Sequence, residues 1–270
     1  MSFTERFKTF AALHAGPKLL ILPNAWDAGS ARVIEHAGAP AIATSSAAVA
    51  WAHGYADGQF LPFETLLATV SAIARTVSLP VSADIEAAYA HDAATAARTV
   101  GQVIEAGAVG INIEDGNDAP DLLARKIENL KSAARAQGAD IWVNARVDTY
   151  LRRLVPAETA YGETVRRAAL YREAGADSIF VPGFPDNDRI VQLVKDVVLP
   201  LNLLAWPGLP DGAALQAAGV RRLSAGSGIG KAVLNETLRL AKDFLADGRS
   251  EPLVQGPLGN AELNGMLRKD

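Results

Sequence analysis

Short apolar runs rich in β-branched residues alternate with longer segments whose apolar positions recur at helical spacing, from one end of the chain to the other. Residues 3–14 put Phe3, Phe7, Phe10 and His14 on one face, predicting a helix that plugs or flanks the body formed by the later strands. Leu19–Trp26 reads as a buried strand, Ala28–Ala37 as a helix stopped by Gly38, and Ala41–Ser46 as a second strand. A long loop over 47–59 precedes a helix at Phe63–Val77. The third strand, Val81-Ser-Ala-Asp-Ile-Glu86, and the fourth, Ile111-Asn-Ile-Glu-Asp115, flank an Ala-rich helix at Thr95–Gly107. Strand, helix, strand is a βαβ unit, so these strands are expected to be parallel neighbours.

The pattern continues through an irregular Gly116–Pro120 segment and a helix at 121–137 to a fifth strand, Ile141–Asp148. Then come a helix at Thr159–Ala174, strand six at Ser178–Gly183, a helix at 187–197 and strand seven at Leu201–Trp206. A short helix at 211–218, strand eight at Arg222–Ser227 and a long helix at Lys231–Ala246 complete the series. Ala-Gly-Ala or Ala-Gly-Val stands before strands two, four, six and eight, and Leu-Pro before strands three and seven. Both are helix-to-strand turns, with Gly supplying the C-cap. Eight βα units predict a (β/α)8 TIM barrel with an N-terminal helix and a C-terminal helical extension. An open doubly wound sheet is the alternative. No linker or low-complexity stretch divides the chain, so one domain over 1–270 is expected. Its tail, 247–270, carries a short helix at 260–268 suited to packing on a partner subunit.

Composition narrows the partners. The 270 residues are 49% apolar, ample for a large core, and the net charge of −4 offers no basic footprint for nucleic acid or anionic membrane. The absence of cysteine excludes disulfides, thiolate nucleophiles and Cys-ligated metals. The N-terminus lacks the continuous apolar stretch of a signal peptide, and no run reaches the length of a membrane span, so a cytoplasmic protein is expected.

In such a barrel, chemistry sits at the strand C-termini and the loops after them. Those positions hold Asn24, Trp26, Asp27, Ser45, Ser46, Asp84, Glu86, Glu114, Asp115, Asn144, Arg146, Asp148, Asn202, Ser224 and Ser227. Acids at neighbouring strand ends repel one another unless a cation or a retained proton relieves them, and a hard ion such as Mg²⁺ is one resolution. Helix caps and solvated strand ends are the other. Arg146 faces the acids and pairs either with a small anionic carboxylate or with Glu114 or Asp148. Ser224–Gly230 stands where barrels bind phosphate, although its glycines equally suit a tight turn. The four histidines share no ligand spacing and read mostly as surface residues, His53 alone lying in an active-face loop. Tyr89, Trp26 and Trp206 read as packing residues.

Several ordered motifs resemble the isocitrate lyase/phosphoenolpyruvate mutase superfamily. They are Thr44-Ser-Ser-Ala-Ala-Val49, Gly54-Tyr-Ala-Asp57, Asp84-Ile-Glu-Ala-Ala-Tyr89, Gly110-Ile-Asn-Ile-Glu-Asp115, Asn144-Ala-Arg-Val-Asp148, Ala174–Gly183 and Gly219–Gly226. The resemblance implies a Mg²⁺-dependent enzyme (Mn²⁺ as an equivalent) acting on 2-oxo or 2-hydroxy carboxylates through an enolate-like intermediate. It makes Asp84 the direct metal ligand, with Asp57, Glu86 and Glu114 holding its waters or completing its shell. Ser45, Ser46 and Ala47 take the substrate carboxylate, Asn202 belongs to the substrate site, and Arg146, with Asp57 and Glu114, takes part in catalysis. It also implies a homotetramer, a dimer of dimers exchanging C-terminal helices.

Two departures separate the possible reactions. Lyases of the superfamily carry a K-[KR]-C-G-H loop after strand four, where this chain has only Gly116-Asn-Asp-Ala-Pro120 and no cysteine. Phosphonate enzymes use a lysine and an asparagine there, and this chain offers Asn117 but no lysine before Lys126. A lyase or decarboxylase for a small (di)carboxylate is the leading expectation, with His53 or Tyr89 as replacement acid. A phosphonopyruvate-type mutase or hydrolase and a non-catalytic 2-oxo acid binder are the alternatives. A third departure is Ala88, where the metal motif prefers Gly.

Overall fold

The computed structural model describes residues 1–254, 256 and 258–268. Its strands are β1 (Leu20–Leu22), β2 (Asn24–Ala25), β3 (Ile42–Thr44), β4 (Val81–Asp84) and β5 (Gly110–Glu114). They continue with β6 (Trp142–Arg146), β7 (Ser178–Val181), β8 (Leu201–Leu204) and β9 (Arg222–Ser224). All pair in parallel, in the order β1-β9-β8-β7-β6-β5-β4-β3-β2. β1 and β2 are the two halves of the first strand on either side of Pro23, which has no N–H to give a ladder. The first half pairs with β9 and the second with β3, so the sheet closes as a (β/α)8 barrel.

The helices are α1 (Phe3–Ala15), α2 (Ala28–His36), α3 (Ser46–Ala52), α4 (Phe63–Thr76), α5 (Ala93–Glu105) and α6 (Pro120–Ala136). Beyond them lie α7 (Ala157–Glu173), α8 (Ile190–Val197), α9 (Gly212–Ala217), α10 (Gly228–Asp247), α11 (Glu251–Val254) and α12 (Asn260–Leu267). The Ala-Gly signature behaves as expected. Gly38, Gly107, Gly175 and Gly219 all take φ between 92° and 103° just after a helix, and a Cβ at Gly107 would meet Ala74 at 2.8 Å. One expectation fails, because the loop over 47–59 begins with α3. Ser45 caps that helix, and four of the six residues 47–52 are alanine, the strongest helix former.

α1 plugs the amino-terminal end of the barrel. Phe10 meets Trp142 edge-on, and His14 stacks on the same indole at 4.5 Å. His14 is thereby buried rather than at the surface, and burial lowers its pKa to about 3. Above the plug the interior is polar. Trp142 Nε1 donates to Ser178 Oγ, which donates to Asn144 Oδ1, while Asn144 Nδ2 donates to Asn112 Oδ1. The apolar core instead fills the space between strands and surrounding helices. Four residues of the 247–270 tail, Gln255, Pro257, Lys269 and Asp270, lie outside the described residues. Within the rest, Arg32 of α2 donates to the Met266 and Arg268 carbonyls at the end of α12.

Candidate active site

The carboxyl-terminal rim divides into an acidic side and a guanidinium side. On the acidic side, the Asp84 backbone N–H donates to Thr44 Oγ1 at 2.8 Å, locking the end of β4 to β3. Asp84 Oδ2 accepts the Ser46 N–H at 3.1 Å. The chain then turns through Glu86, Ala88 and Tyr89 at φ of 50°, 69° and 50°, a left-handed run that costs residues bearing a Cβ. Local bonds hold it: Ala88 N–H to Ile85 O at 2.8 Å, Glu114 N–H to Glu86 O at 3.0 Å, and Tyr89 Oη to Glu86 Oε1 at 3.3 Å. Burial first, and then the charges of Asp84 and Asp57, push the Glu86 carboxyl up to about 7. Asp84 is raised for the same first reason, with Asp57 adding to the rise and Arg146 opposing it. Asp57 itself is exposed, in the loop after α3.

The guanidinium side is an ion cluster. Arg146 Nη1 meets Glu114 Oε2 at 2.6 Å, and its Nε and Nη2 grip Asp148 at 2.6 and 3.0 Å. Arg152, which the sequence motifs did not single out, binds the other oxygen of Glu114 and Asp148 Oδ2, each at 3.0 Å. Burial alone would lower Arg146, but the charges of Glu114, Asp148 and Asp84 outweigh it and hold the guanidinium protonated. Burial pushes the Glu114 carboxyl up to about 8 against the pull of Arg146 and Arg152.

Asp115 turns away from the rim into a buried bracket. It accepts the Asp148 N–H at 2.9 Å, Arg167 Nη1 at 2.8 Å and Tyr171 Oη at 2.7 Å. Asn202 is likewise not in the mouth: it is wholly buried in the barrel interior, its Oδ1 accepting from Ser224 Oγ. Ser45 caps α3, with Ser46 and Ala47 in the first turn beside Asp84. His53 bonds Thr69 on α4. The chain therefore brings together Asp57, Asp84 and Glu86 on one side and Glu114 and Arg146 on the other. Arg152, Arg167 and Tyr171 escaped notice because no spacing marks a charged residue on a helix or loop as the partner of a strand-end acid.

Among the described residues, no trio of carboxylate or imidazole groups is close enough to hold an ion unaided. A Mg²⁺ that takes one carboxylate directly and reaches others through its waters needs no such trio. The donor set fits that manner of binding: three mutually repelling carboxylates, all hard oxygen, one of them part-buried and held by a backbone N–H.

Fold and rim together define a (β/α)8 barrel that sets a carboxylate cluster against a bound guanidinium. The model of the phosphoenolpyruvate phosphomutase family matches residues 10–245, and the chain belongs to that family. An uncharacterized protein of Mycobacterium tuberculosis (strain H37Rv) is 37% identical over 223 residues, 81% of this chain and 82% of that protein. Oxaloacetate decarboxylase of Pseudomonas fluorescens (strain SBW25) is 28% identical over 85% of this chain and 81% of its own. Among solved structures, a protein of Burkholderia cenocepacia J2315 provisionally assigned as a lyase/mutase superposes with a TM-score of 0.89 at 33% identity, covering 97% and 95% of the two chains. A phosphonopyruvate hydrolase complexed with oxalate and Mg²⁺ superposes with a TM-score of 0.84 at 26% identity, covering 97% and 94%.

Proposed function

We propose that the chain is a Mg²⁺-dependent lyase or decarboxylase that breaks a carbon–carbon bond in a small 2-oxo or 2-hydroxy (di)carboxylate. The observation that carries this reading is the charge-coupled trio Asp57, Asp84 and Glu86 standing opposite Arg146. The oxaloacetate decarboxylase relative and the oxalate- and Mg²⁺-bearing hydrolase structure support it. Asp84 would hold the ion directly, with Asp57, Glu86 and Glu114 on its waters. Bound there, Mg²⁺ supplies the positive charge that stabilises an oxyanion developing next to the breaking bond.

The chain's own groups do the rest. Ser45, Ser46 and the backbone at Ala47 receive the substrate carboxylate beside Asp84. Arg146 is kept in place by Glu114 and Asp148, so its charge is already oriented when the substrate arrives, with no reorganisation during reaction. Tyr89, bonded to Glu86 at the rim, is a hydroxyl placed to return a proton, and burial keeps its own pKa above the ordinary phenol value.

Cytoplasmic work by one domain is part of the same proposal; among the described residues no helix is long and apolar enough to cross a membrane. α10 buries only Gly230 and exposes Val233, Leu234, Leu238, Phe244 and Leu245, so a second copy of the chain is the natural cover, as in a dimer of dimers exchanging C-terminal helices. A panel of oxaloacetate, isocitrate, 2-methylisocitrate and malate derivatives, assayed with Mg²⁺ and again with EDTA, tests the reaction. Turnover of at least one, abolished by EDTA, is expected, and its absence across the panel overturns the proposal.

A further inference from the structure

A cavity of about 680 Å³ is lined by residues that follow β6, β7 and β8, next along the chain from Arg146 and Asp148. The segment 146–153 serves both regions: its first residues meet the acids, while Thr149, Tyr150, Leu151 and Arg153 line the cavity. The opposite wall includes Gly183 and Trp206. Trp206 is 53% exposed, so it is an open wall rather than the packing residue its sequence context suggested. Tyr150 is braced by Phe184, ring edge to ring face at 5.3 Å, which stiffens the aromatic side of the lining.

Three features mark this cavity as a ligand chamber. The lining is mostly apolar, and the volume falls within the range of small-molecule sites, more than a four-carbon acid needs. Arg153 makes no ion pair among the described residues, although Arg146 and Arg152 a few positions earlier are each doubly paired. Arg153 also sits at φ 52°, in a tight turn closed by its N–H bond to the Tyr150 carbonyl, and such backbone strain clusters at ligand clamps. Thr149 Oγ1, buried in the same lining, has no hydrogen-bond partner among the described residues.

The geometry points to a substrate larger than oxaloacetate: a 2-oxo or 2-hydroxy acid whose head lies at the Asp84–Arg146 rim and whose aryl or branched apolar arm fills this cavity, ending in a carboxylate on Arg153. This rests on the reading of the rim as a 2-oxo acid site. The arm contributes burial against Trp206 and Tyr150, and the terminal carboxylate supplies the partner Arg153 lacks.

Calorimetric titration in MgCl₂ with pyruvate, phenylpyruvate and 4-carboxyphenylpyruvate measures head, arm and tail in turn, and the part of the tryptophan fluorescence that Trp206→Ala removes reports entry of the arm. Each added part is expected to tighten binding by about tenfold, the scale on which a shaped pocket discriminates. Trp206→Ala should erase the step from pyruvate to phenylpyruvate. Arg153→Met should erase only the step to the carboxylated ligand, and neither should alter pyruvate binding. Pyruvate binding with no gain from the arm overturns the chamber and leaves the rim reading standing. Phenylpyruvate binding with Trp206 quenching but no pyruvate binding sinks the rim reading and keeps the chamber. Binding of none of the three defeats both readings, and equal weakening of all three by the variants defeats the chamber alone.

Discussion

Asp115 gives the sharpest test of how the rim is held, because its carboxylate never meets the substrate. It sits 1% exposed and accepts three donors, from the Asp148 backbone, Arg167 and Tyr171. In Asp115→Asn the shape is kept but the charge is gone, and the amide N–H₂ must face either the Asp148 N–H or the Arg167 guanidinium and Tyr171 hydroxyl. Breaking a buried pair by removing one partner costs about 3–5 kcal/mol. At about 2–4 °C per kcal/mol for a chain of this size class, the melting temperature should fall by roughly 6–20 °C. Tyr171→Phe removes a single donor and leaves Asp115 two others, so it should cost only about 1 kcal/mol. Thermal unfolding by circular dichroism ranks the two. Asp115 also fixes the Asp148 backbone, and Asp148 fixes Arg146, so Asp115→Asn should weaken 2-oxo acid binding more than Tyr171→Phe does. A loss below about 1 kcal/mol for Asp115→Asn, with binding intact, refutes the idea that this bracket supports the rim.

Asp84→Asn should abolish stabilisation by Mg²⁺, which for the parent protein at a hundredfold excess over Kd amounts to about 2.7 kcal/mol, read as a melting shift with and without the ion. The Glu86 pKa of about 7 stands above its unfolded value of 4.5, so its contribution is fully present below about 4.5 and lost as pH rises through 7. Metal-free protein should therefore lose up to about 3 kcal/mol between pH 4.5 and 8, with Mg²⁺ restoring most of it at the upper end; a flat profile in EDTA would contradict the burial of that carboxyl. Leu234→Glu with Leu238→Glu on α10 should reduce the assembled mass measured by light scattering without lowering the melting temperature of the barrel's helices and strands, and an unchanged mass removes this face from any interface.

The fold was legible because its rules are periodic. Apolar runs of strand length, helices of 3.6 spacing and the repeated Ala-Gly turn each carried over, down to the left-handed glycines at 38, 107, 175 and 219. What failed had local causes. Gly54, Asp57 and Gly58 made the whole 47–59 stretch look like a loop, although Ala47–Ala52 are capped by Ser45 and form α3. The destinations of the acids were less legible than their positions. Asp84 and Glu114 occupy comparable strand ends, yet one meets backbone N–H and the other meets two guanidiniums, because Arg146 and Arg152 enter from a neighbouring strand and its loop. Asp115, one residue beyond Glu114, points to the other side of the strand by simple alternation, toward α7 rather than the barrel mouth.

Ala88 joins sequence and site most directly. In the motif the superfamily resemblance rests on, its position prefers Gly, and the chain shows why: φ is 69°, with left-handed neighbours at Glu86 and Tyr89. Strain of about 1–2 kcal/mol at Ala88 is partly offset by its methyl, which is fully buried and contributes about 0.8 kcal/mol. The departure is therefore tolerable rather than disabling. What the strain maintains is the orientation of Glu86, whose carbonyl receives the Glu114 N–H while its carboxyl stays beside Asp84. A relaxed turn would release that carboxyl toward water, away from Asp84 and Asp57, and its raised pKa would fall toward that of an ordinary glutamate. The concentration of negative charge that invites a divalent ion is thus a product of the backbone as much as of the side chains, and it survives the loss of the usual glycine.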